Sequence, residues 1–423
     1  NNHISETSMY SKSLNREFFL SIFDTQGAGL EAYHHFIRYM SEINIFCCRY
    51  ITCSVYKDYS FSSLREPERC MKYTKWFYTT GLSKILEKGL KSEEVIRRLR
   101  NAFLLSLYLT YIVRLPDSGN NVSRIDMYQK IIQVWGNLFS KEHFENFGPP
   151  NNMEEWVEFI LEEQMNYAIK FVGENDNLSL NKALIENIWA SFNCILTCTP
   201  LWIIGKPGTS KSIAVNLVID ALQSGNNPLP STQKHQLNLY VQKYMCSQES
   251  KGEALMEQLE MLSMVIKDNE EDKYKKHLLL VLEEISHADL SPYLPLKSLH
   301  SIIDNGFEYA HNRFVRIALI GLANYKMDSA KLNRGILIAR APLSDDDVSK
   351  SCIDIFTKTR ELITRRKITQ EILNNYEPIL KKIAEAYARQ FERGDEDKYV
   401  GLRDVFGFSQ GLAGEFRRLP NKD

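Results

Sequence analysis

The sequence predicts an α/β domain, with a parallel β-sheet between helices, that follows an all-α region and precedes a helical subdomain. Apolar segments of strand length alternate with helical patterns between residues 201 and 339, and a glycine-rich loop joins the first of these strands to a helix. Helical periodicity alone dominates residues 16–170 and the chain after residue 348. Alternating strands and helices are typical of a parallel sheet covered by helices. We therefore expect an all-α region over 1–170, the α/β domain over 171–345 and a helical subdomain over 346–423.

The composition is that of an ordinary soluble protein. The chain has 423 residues, of which 44% are hydrophobic and 25% are charged, and its net charge of −1 gives no general attraction to nucleic acid or anionic membrane. Its eight cysteines contain no CxxC pair, so we expect reduced thiols and a cytoplasmic location. The apolar stretch Ala102–Val113 is too short for a transmembrane segment, and we predict a core helix there. Because the sequence does not begin with Met and ends abruptly, we expect a piece of a longer protein.

The N-terminal region has a short sequence similarity to the C-terminal subdomain. Ser63-Leu64-Arg65-Glu66 and Gly401-Leu402-Arg403-Asp404 share the pattern [SG]-L-R-[ED], and both lie in helical regions that carry aromatic residues. If the second copy belongs to a helical lid over the α/β domain, the first copy belongs to the lid and linker of a preceding, similar domain. By periodicity alone, a helical adaptor is an equally good interpretation of residues 1–170.

The glycine-rich loop predicts a nucleotide triphosphate site. Leu201–Ile204 form a short buried strand, the loop breaks it, and a helix begins near Lys211. In such a loop the backbone N–H groups face phosphates, Lys211 contacts the outer phosphates and the Ser212 hydroxyl contacts Mg²⁺. The match to G-x-x-x-x-G-K-[ST] fails at Ser210, which replaces a glycine; a chance turn before a surface helix is the alternative. The predicted phosphate-binding loop comprises Gly205, Lys206, Pro207, Gly208, Thr209, Ser210, Lys211 and Ser212.

Two acidic residues end a later buried strand. Gln236–Met245 is the second predicted strand, and Lys275–Glu284 is the third, which ends in Glu283 and Glu284. Ligand sites of open α/β sheets lie at the carboxyl ends of strands, so these carboxylates should lie beside the loop. We assign Glu283 to Mg²⁺ and Glu284 to activation of the attacking water. Without the loop, a solvated strand end would be the better interpretation.

Three further polar residues follow the remaining strands. A helix is predicted over Pro295–Asp304, a fourth strand over Val315–Ala323 and a fifth over Ile336–Ala339. Asn324, after the fourth strand, is a candidate for orienting the water or contacting the γ-phosphate, although an ordinary strand-ending Asn is an equal alternative. Two arginines near the last strand, Arg334 and Arg340, are candidates for contacting the phosphate of a neighbouring module, or are surface ion-pair partners.

Taken together, these segments resemble an AAA+ ATPase module. The segments GKPGTSKS, LLLVLEEI, SPYLPLKSLHSIIDNG, IGLANYKMDSAKLNRG and GLRD occur in that order. More narrowly, they look like an AAA+ unit of the mysterin family, the giant RING-type E3 ubiquitin ligases with a row of AAA+ units. The SKS loop, the SP-x-x-PLK-x-LH segment and the K-x-NRG segment carry the narrower resemblance. The resemblance covers about 180–410 strongly and 1–170 weakly.

The resemblance implies a function and a set of partners. It implies ATP and Mg²⁺ as ligands, Arg403 as a lid residue at the nucleotide, and Glu284, Asn324 and Arg334 as catalytic residues. The expected function is ATP hydrolysis that drives conformational changes in a larger E3 ubiquitin ligase. Its expected partners are neighbouring AAA+ units and, through regions outside this sequence, the ubiquitin machinery. One alternative is a nucleotide-binding scaffold with little hydrolysis, which Ser210 in place of Gly and Glu283 in place of Asp would favour. Another is a dynein- or midasin-type motor.

Overall fold

The structure, a computed structural model, describes most of the chain in twelve segments. These segments are residues 17–22, 29–56, 65–80, 92–115, 123–138, 152–173, 180–224, 238–267, 276–311, 313–340, 345–392 and 401–415. Ser63 and Leu64 of the predicted [SG]-L-R-[ED] pattern lie outside the described residues. Residues 341–344, just before the predicted boundary at 345/346, lie outside them as well.

The N-terminal part of the described chain is helical throughout. After a helical segment over residues 17–22, the main helices are α1 (Gly29–Tyr50), α2 (Arg65–Thr80), α3 (Ser92–Leu107), α4 (Arg124–Leu138) and α5 (Met153–Val172). Two of them continue as π-helical turns, α1 into Ile51–Tyr56 and α3 into Tyr108–Ile112. We refer to these helices as the N-terminal layer.

A five-stranded parallel sheet forms the centre of the next part. The elements of this part, in chain order, are α6 (Lys182–Leu196), β1 (Leu201–Gly205), α7 (Lys211–Gln223), β2 (Asn238–Met245), α8 (Gly252–Lys267), β3 (Lys276–Glu283), α9 (Ile285–Asp289), a 3₁₀ turn (Pro295–Lys297), α10 (Leu299–Asn305), β4 (Phe307–Ala310), β5 (Arg313–Val315), β6 (Ala318–Ala323), α11 (Ser329–Leu332) and β7 (Ile336–Arg340). The sheet order is β2-β3-β6-β1-β7, and all its pairs are parallel. The α/β class and the parallel sheet predicted from the sequence are confirmed.

The strand register gathers the candidate residues at one edge of the sheet. Ile204 pairs with Ala323, and Gly205 pairs with Arg340. Because the strands run in the same direction, the loop after β1, the residue after β6 and the two acids at the end of β3 lie at the same carboxyl edge. Sheet order therefore explains why residues far apart in sequence meet.

The hydrophobic core does not divide between the N-terminal layer and the sheet. One continuous cluster of buried side chains includes Phe103 and Trp135 of the layer, Trp189 of α6, and Ile203 and Ile320 of the sheet. Phe77 of the layer stacks on Trp189 with ring centroids 5.8 Å apart. The sheet's other face packs on α8 in a second cluster. The N-terminal layer therefore packs against α6 and shares one core with this face of the sheet.

The C-terminal helices form a third cluster of their own. They are α12 (Asp345–Thr364), α13 (Gln370–Glu392) and α14 (Leu402–Glu415). Phe356, Leu380 and Leu402 are fully or almost fully buried within this cluster, which contains no residue of the sheet. We refer to these three helices as the lid.

Two predicted elements differ from the structure. The predicted strand Val315–Ala323 is interrupted at Arg316-Ile317, because Val315 pairs with β4 in an antiparallel hairpin and only β6 joins the main sheet. The hairpin begins at Gly306, whose φ of +91° suits glycine, and a Cβ there would lie 2.8 Å from the Val315 oxygen. The predicted helix over Pro295–Asp304 is a 3₁₀ turn followed by α10.

The long apolar stretch is part of the core. Its residues Phe103, Leu107, Leu109 and Ile112 have no exposed surface. Within the described residues, none of the helices combines the length and hydropathy needed to cross a bilayer.

Candidate functional site

The Lys211 side chain is held by the loop that precedes it. Its Nζ donates to the carbonyl oxygens of Gly205 and Lys206, the latter at 3.0 Å, and to Oδ1 of Asn324, also at 3.0 Å. Thr209 Oγ1 donates to the Lys206 oxygen at 2.8 Å, which closes the loop on itself. The loop is therefore folded around the ammonium group.

Two residues at this edge have a left-handed backbone although neither is glycine. Ser210 has φ = +58° immediately before α7, and Glu284 has φ = +53° immediately before α9. Such conformations cost on the order of 1 kcal/mol or more outside glycine, and they concentrate at functional sites. The Ser210 backbone explains why a glycine is usual there, and the observed serine adopts the same conformation.

Asn324 joins the cation to the second of the two acids. Its Nδ2 donates to both carboxylate oxygens of Glu284, at 2.9 and 2.7 Å, while its Oδ1 accepts from Lys211. Burial lowers the pKa of Lys211 to about 8; Glu284 opposes this shift and Arg403 adds to it. A cation that is partly buried beside a second cation favours an anionic ligand.

A cavity of about 350 Å³ opens over these groups. This volume lies within the range of small-molecule sites. Seven of the predicted site residues line it: Gly208, Ser210, Lys211, Ser212, Glu283, Glu284 and Asn324. Arg403 of the lid is an eighth. Four residues of the predicted loop do not line it: Gly205, Lys206, Pro207 and Thr209.

The lid meets the loop directly. Gly208 has φ = +92°, and a Cβ there would lie 2.6 Å from Cβ of Leu402. Glycine is therefore required at this position both by the backbone and by the approach of α14. Arg403, the next residue of the lid, extends into the cavity lining.

One side of the cavity was missed by sequence reasoning. Asn181, Leu184, Ser351, Ile355, Phe406, Gly407 and Gln410 line it as well. Asn181 caps α6 by accepting from the Leu184 N–H at 2.8 Å, and its amide donates to Ser351 at 3.4 Å. These residues come from α6, α12 and α14, so only their helical periodicity is visible in the sequence. They offer an apolar and amide surface beside the phosphate-binding side.

Arg334 lies on a different face, where it meets Arg65. Both side chains contact Oδ2 of Asp304, Arg334 at 2.6 Å and Arg65 at 3.1 Å. They line a separate cavity of about 490 Å³ together with Lys72 and Arg316. Burial lowers the pKa of Lys72 to about 8, with Arg316 adding to the shift. This second cavity is strongly basic, and the structure does not bring Arg334 to the cavity of Lys211.

Arg340 does not lie at an exposed rim. Its side chain is 7% exposed and forms an ion pair with Glu186, and its Nε donates to Asn187 at 2.8 Å. The interpretation of Arg340 as a residue that reaches a neighbouring module is therefore wrong, because its guanidinium is already buried in a pair within the domain.

Comparison with known proteins identifies what this part of the chain is similar to. Residues 177–347 match a family model described as the RNF213 AAA domain. Residues 177–347 are therefore similar to an AAA domain of RNF213, and we refer to them as the RNF213-type domain. The AAA fold predicted from the sequence and the mysterin-like resemblance are thereby confirmed. The match to RNF213 favours this family over the dynein or midasin alternative.

Three relatives extend the similarity beyond the RNF213-type domain. The chain is 26% identical to E3 ubiquitin-protein ligase rnf213-beta of Danio rerio over 355 residues, which is 84% of this chain. It is 26% identical to E3 ubiquitin-protein ligase RNF213 of Homo sapiens over 354 residues and 24% identical to that of Mus musculus over 355, in each case 82% of this chain. It spans about 6% of the length of each of these relatives.

Proposed function

We propose that the RNF213-type domain binds ATP with Mg²⁺ in the cavity over Lys211 and hydrolyses it. The observation that carries the proposal is the hydrogen-bonded series Lys211, Asn324 and Glu284 along one cavity wall. It combines a cation for the phosphates with a carboxylate that would orient the attacking water, and these are two of the parts that recur in phosphoryl-transfer sites.

The residues present fit the nucleotide and its metal. The loop turns around Lys211 at the start of α7, where helix N–H groups favour an anion. Ser212 and Glu283 line the same cavity and would hold Mg²⁺, which would supply charge neutralisation between phosphate oxygens. Asn181, Phe406 and Gln410 would contact the base.

The same contacts support a link between nucleotide binding and hydrolysis. Lys211 donates to Asn324, and Asn324 donates to both oxygens of Glu284. A phosphate that takes the Lys211 ammonium competes with Asn324 for it, so Asn324 becomes able to turn. Glu284, which keeps a free lone pair on each oxygen, would then rotate toward a water and accept its proton.

Titration calorimetry with Mg-ATP tests the binding step. Lys211→Ala should raise the dissociation constant at least tenfold, or about 1.4 kcal/mol. Lys276→Ala is the matched control, because Lys276 lies at the opposite end of β3 and donates to the Val265 oxygen at 2.9 Å. Equal affinities for the parent and Lys211→Ala would remove the phosphate role of Lys211.

A second proposal concerns the basic cavity that contains Arg65 and Arg334. We propose that Arg334 contacts the nucleotide of a neighbouring AAA unit, and that Arg65 belongs to the lid of that unit. The shared Asp304 contact supports this, because it places both arginines at one surface away from the Lys211 cavity. The negative charge that develops on the neighbouring unit's phosphate during hydrolysis would compete with Asp304 for Arg334.

The wider role follows from the relatives. We propose that this unit drives conformational changes in a larger cytoplasmic E3 ubiquitin ligase, since the similar proteins are named as such ligases. A scaffold that binds ATP without hydrolysis is the second candidate, favoured by Ser210 and Glu283 at positions where Gly and Asp are usual. Phosphate release measured with neighbouring units present separates the two, since a lack of turnover there supports the scaffold.

A further inference from the structure

A line of buried polar side chains joins the N-terminal layer to the sheet. Arg124 of α4 donates from Nη1 to Glu186 Oε1 at 2.7 Å and from Nη2 to Oε2 at 3.1 Å. Tyr108 donates its hydroxyl to Oε1 at 2.7 Å, and Arg340 of β7 donates to Oε2. Glu186 is 1% exposed. One carboxylate thus holds two arginines, one from the N-terminal layer and one from the sheet.

The same line continues to the phosphate-binding loop. Arg340 also donates from Nε to Oδ1 of Asn187 at 2.8 Å. Asn187, which has no exposed surface, donates from Nδ2 to the Thr209 oxygen at 3.2 Å. Glu186 and Asn187 are consecutive on a helix, so one faces the N-terminal layer while the other faces the loop. The planar guanidinium of Arg340 spans both.

The contact to Thr209 fixes a peptide group of the loop. The Thr209 carbonyl and the Ser210 N–H belong to one planar trans peptide, and they point in opposite directions. A carbonyl held by Asn187 therefore directs the Ser210 N–H away from α6. Ser210 lines the cavity, so this N–H is one of the donors that a phosphate would meet.

We infer that Asn187 is a positioning residue for the phosphate-binding loop, and that Arg124, Glu186 and Arg340 connect its position to the packing of the N-terminal layer. This inference rests on the proposed nucleotide site. A shift of α4 that disturbs Glu186 also disturbs Arg340, because an arginine left without its carboxylate in the interior is strongly unfavourable.

Hydrogen exchange of residues 205–212 in the ligand-free full chain tests the positioning step. Asn187→Asp has the same size and still accepts from Arg340, but it cannot donate to Thr209. We expect exchange of the loop amides to become about tenfold faster and the Mg-ATP dissociation constant to rise about tenfold. Ser191→Ala is the matched control on the same helix: its hydroxyl is buried and has no hydrogen-bond partner among the described residues, so both quantities should stay unchanged.

Two further variants test the connection between the loop and the N-terminal layer. Arg124→Met removes one partner of Glu186 without touching the loop. Tyr108→Phe removes no charge but two hydrogen bonds, the one that Tyr108 donates to Glu186 and the one that it accepts from Arg124 at 2.8 Å. Both should speed loop exchange, Arg124→Met more strongly, and Tyr108→Phe decides the matter if Arg124→Met does not fold. The control is Arg98→Met, which removes a bond to the Tyr78 oxygen elsewhere in the layer.

The outcomes separate this inference from the proposed function. Unchanged loop exchange in Asn187→Asp would overturn the positioning role, and unchanged exchange in Tyr108→Phe and Arg124→Met would overturn the connection. A parent chain that does not bind Mg-ATP would instead contradict the nucleotide site, while the exchange rates would still decide the positioning step.

Discussion

Asn324 donates its side-chain amide to both carboxylate oxygens of Glu284, at 2.9 and 2.7 Å. One lone pair of each carboxylate oxygen is therefore engaged while the amide oxygen of Asn324 accepts from Lys211. These contacts fix the direction of the carboxylate and leave a lone pair of each oxygen free. Asn324 thus connects the cation to the carboxylate through a single side chain.

The two adjacent acids should give different defects. We expect Glu284→Gln to retain Mg-ATP binding and lose turnover, because the amide cannot accept a proton from water. We expect Glu283→Gln to raise the Mg²⁺ concentration needed for binding. Calorimetry and phosphate release at several Mg²⁺ concentrations measure both effects. Turnover that survives in Glu284→Gln would direct the search to another base.

Nucleotide affinity should fall in alkaline solution. Because burial lowers the pKa of Lys211 to about 8, the ligand-free protein loses this charge as the pH rises through that value. Bound phosphate favours the protonated form, so the affinity should be nearly constant from pH 6.5 to 7.5 and decrease between about pH 8 and 10. Calorimetry over this range measures the decrease.

Lys211→Arg provides the control for this pH dependence. Arginine keeps its charge throughout the range, so its affinity, even if lower overall, should change less with pH. Identical slopes for the parent and Lys211→Arg would show that Lys211 is not the titrating group.

Glu186→Gln should destabilise the folded chain by about 3–5 kcal/mol, since it leaves two buried arginines without a carboxylate. Burial alone would raise the pKa of Glu186, but Arg340 and Arg124 outweigh it and hold that pKa well below its ordinary value. The stabilisation is therefore complete above the unfolded pKa of about 4.3 and is lost as the pH falls toward the folded value.

Urea unfolding at pH 7 and at pH 3–4 measures this contribution. The difference in free energy of unfolding between the parent and Glu186→Gln should shrink in acid. The exposed i,i+4 pair of Lys381 and Glu377 supplies a control: Glu377→Gln should change the free energy of unfolding little at either pH. A difference that stays constant with pH would contradict the assignment.

The two related arginines should differ in the isolated chain. Arg403→Ala should weaken Mg-ATP binding several-fold, because Arg403 lines the cavity of Lys211. Arg65→Ala and Arg334→Ala should leave that affinity nearly unchanged, since both side chains contact Asp304 on another face. In a longer chain with neighbouring units, Arg334→Ala should lower turnover. A loss of affinity in Arg65→Ala would bring the N-terminal helices into the Lys211 site.

The sequence predicts the parts of the site whose chemistry is local. The loop from Gly205 to Ser212 and the two acids at the end of β3 are recognisable because each combines a buried strand with polar residues at its carboxyl end. The apolar runs predicted which segments form strands and the order of these strands along the chain. The interruption at Arg316-Ile317 did not, because a three-residue strand pairs through a hairpin and leaves no periodic signal.

Other parts depend on distant segments that have no local signature. The wall formed by Asn181, Ser351 and Phe406 is assembled from three helices, each of which looks like an ordinary amphipathic helix in sequence. In the sequence, Arg340 follows the predicted strand Ile336–Ala339 in the way that a rim residue would. Only the tertiary position of Glu186, on a helix that precedes β1, shows that the guanidinium is buried.

The core shared by the N-terminal layer and the sheet also decides how this stretch of chain responds to force. Residues 174–179 connect α5 to the segment that leads into α6, and a polar connection of this length would ordinarily serve as a hinge. Here the stacked rings of Phe77 and Trp189 and the interior around them cross the same boundary. Bending at that point would open a dry interior to water, so we expect the helices and the sheet to turn together when a torque is applied to the helices.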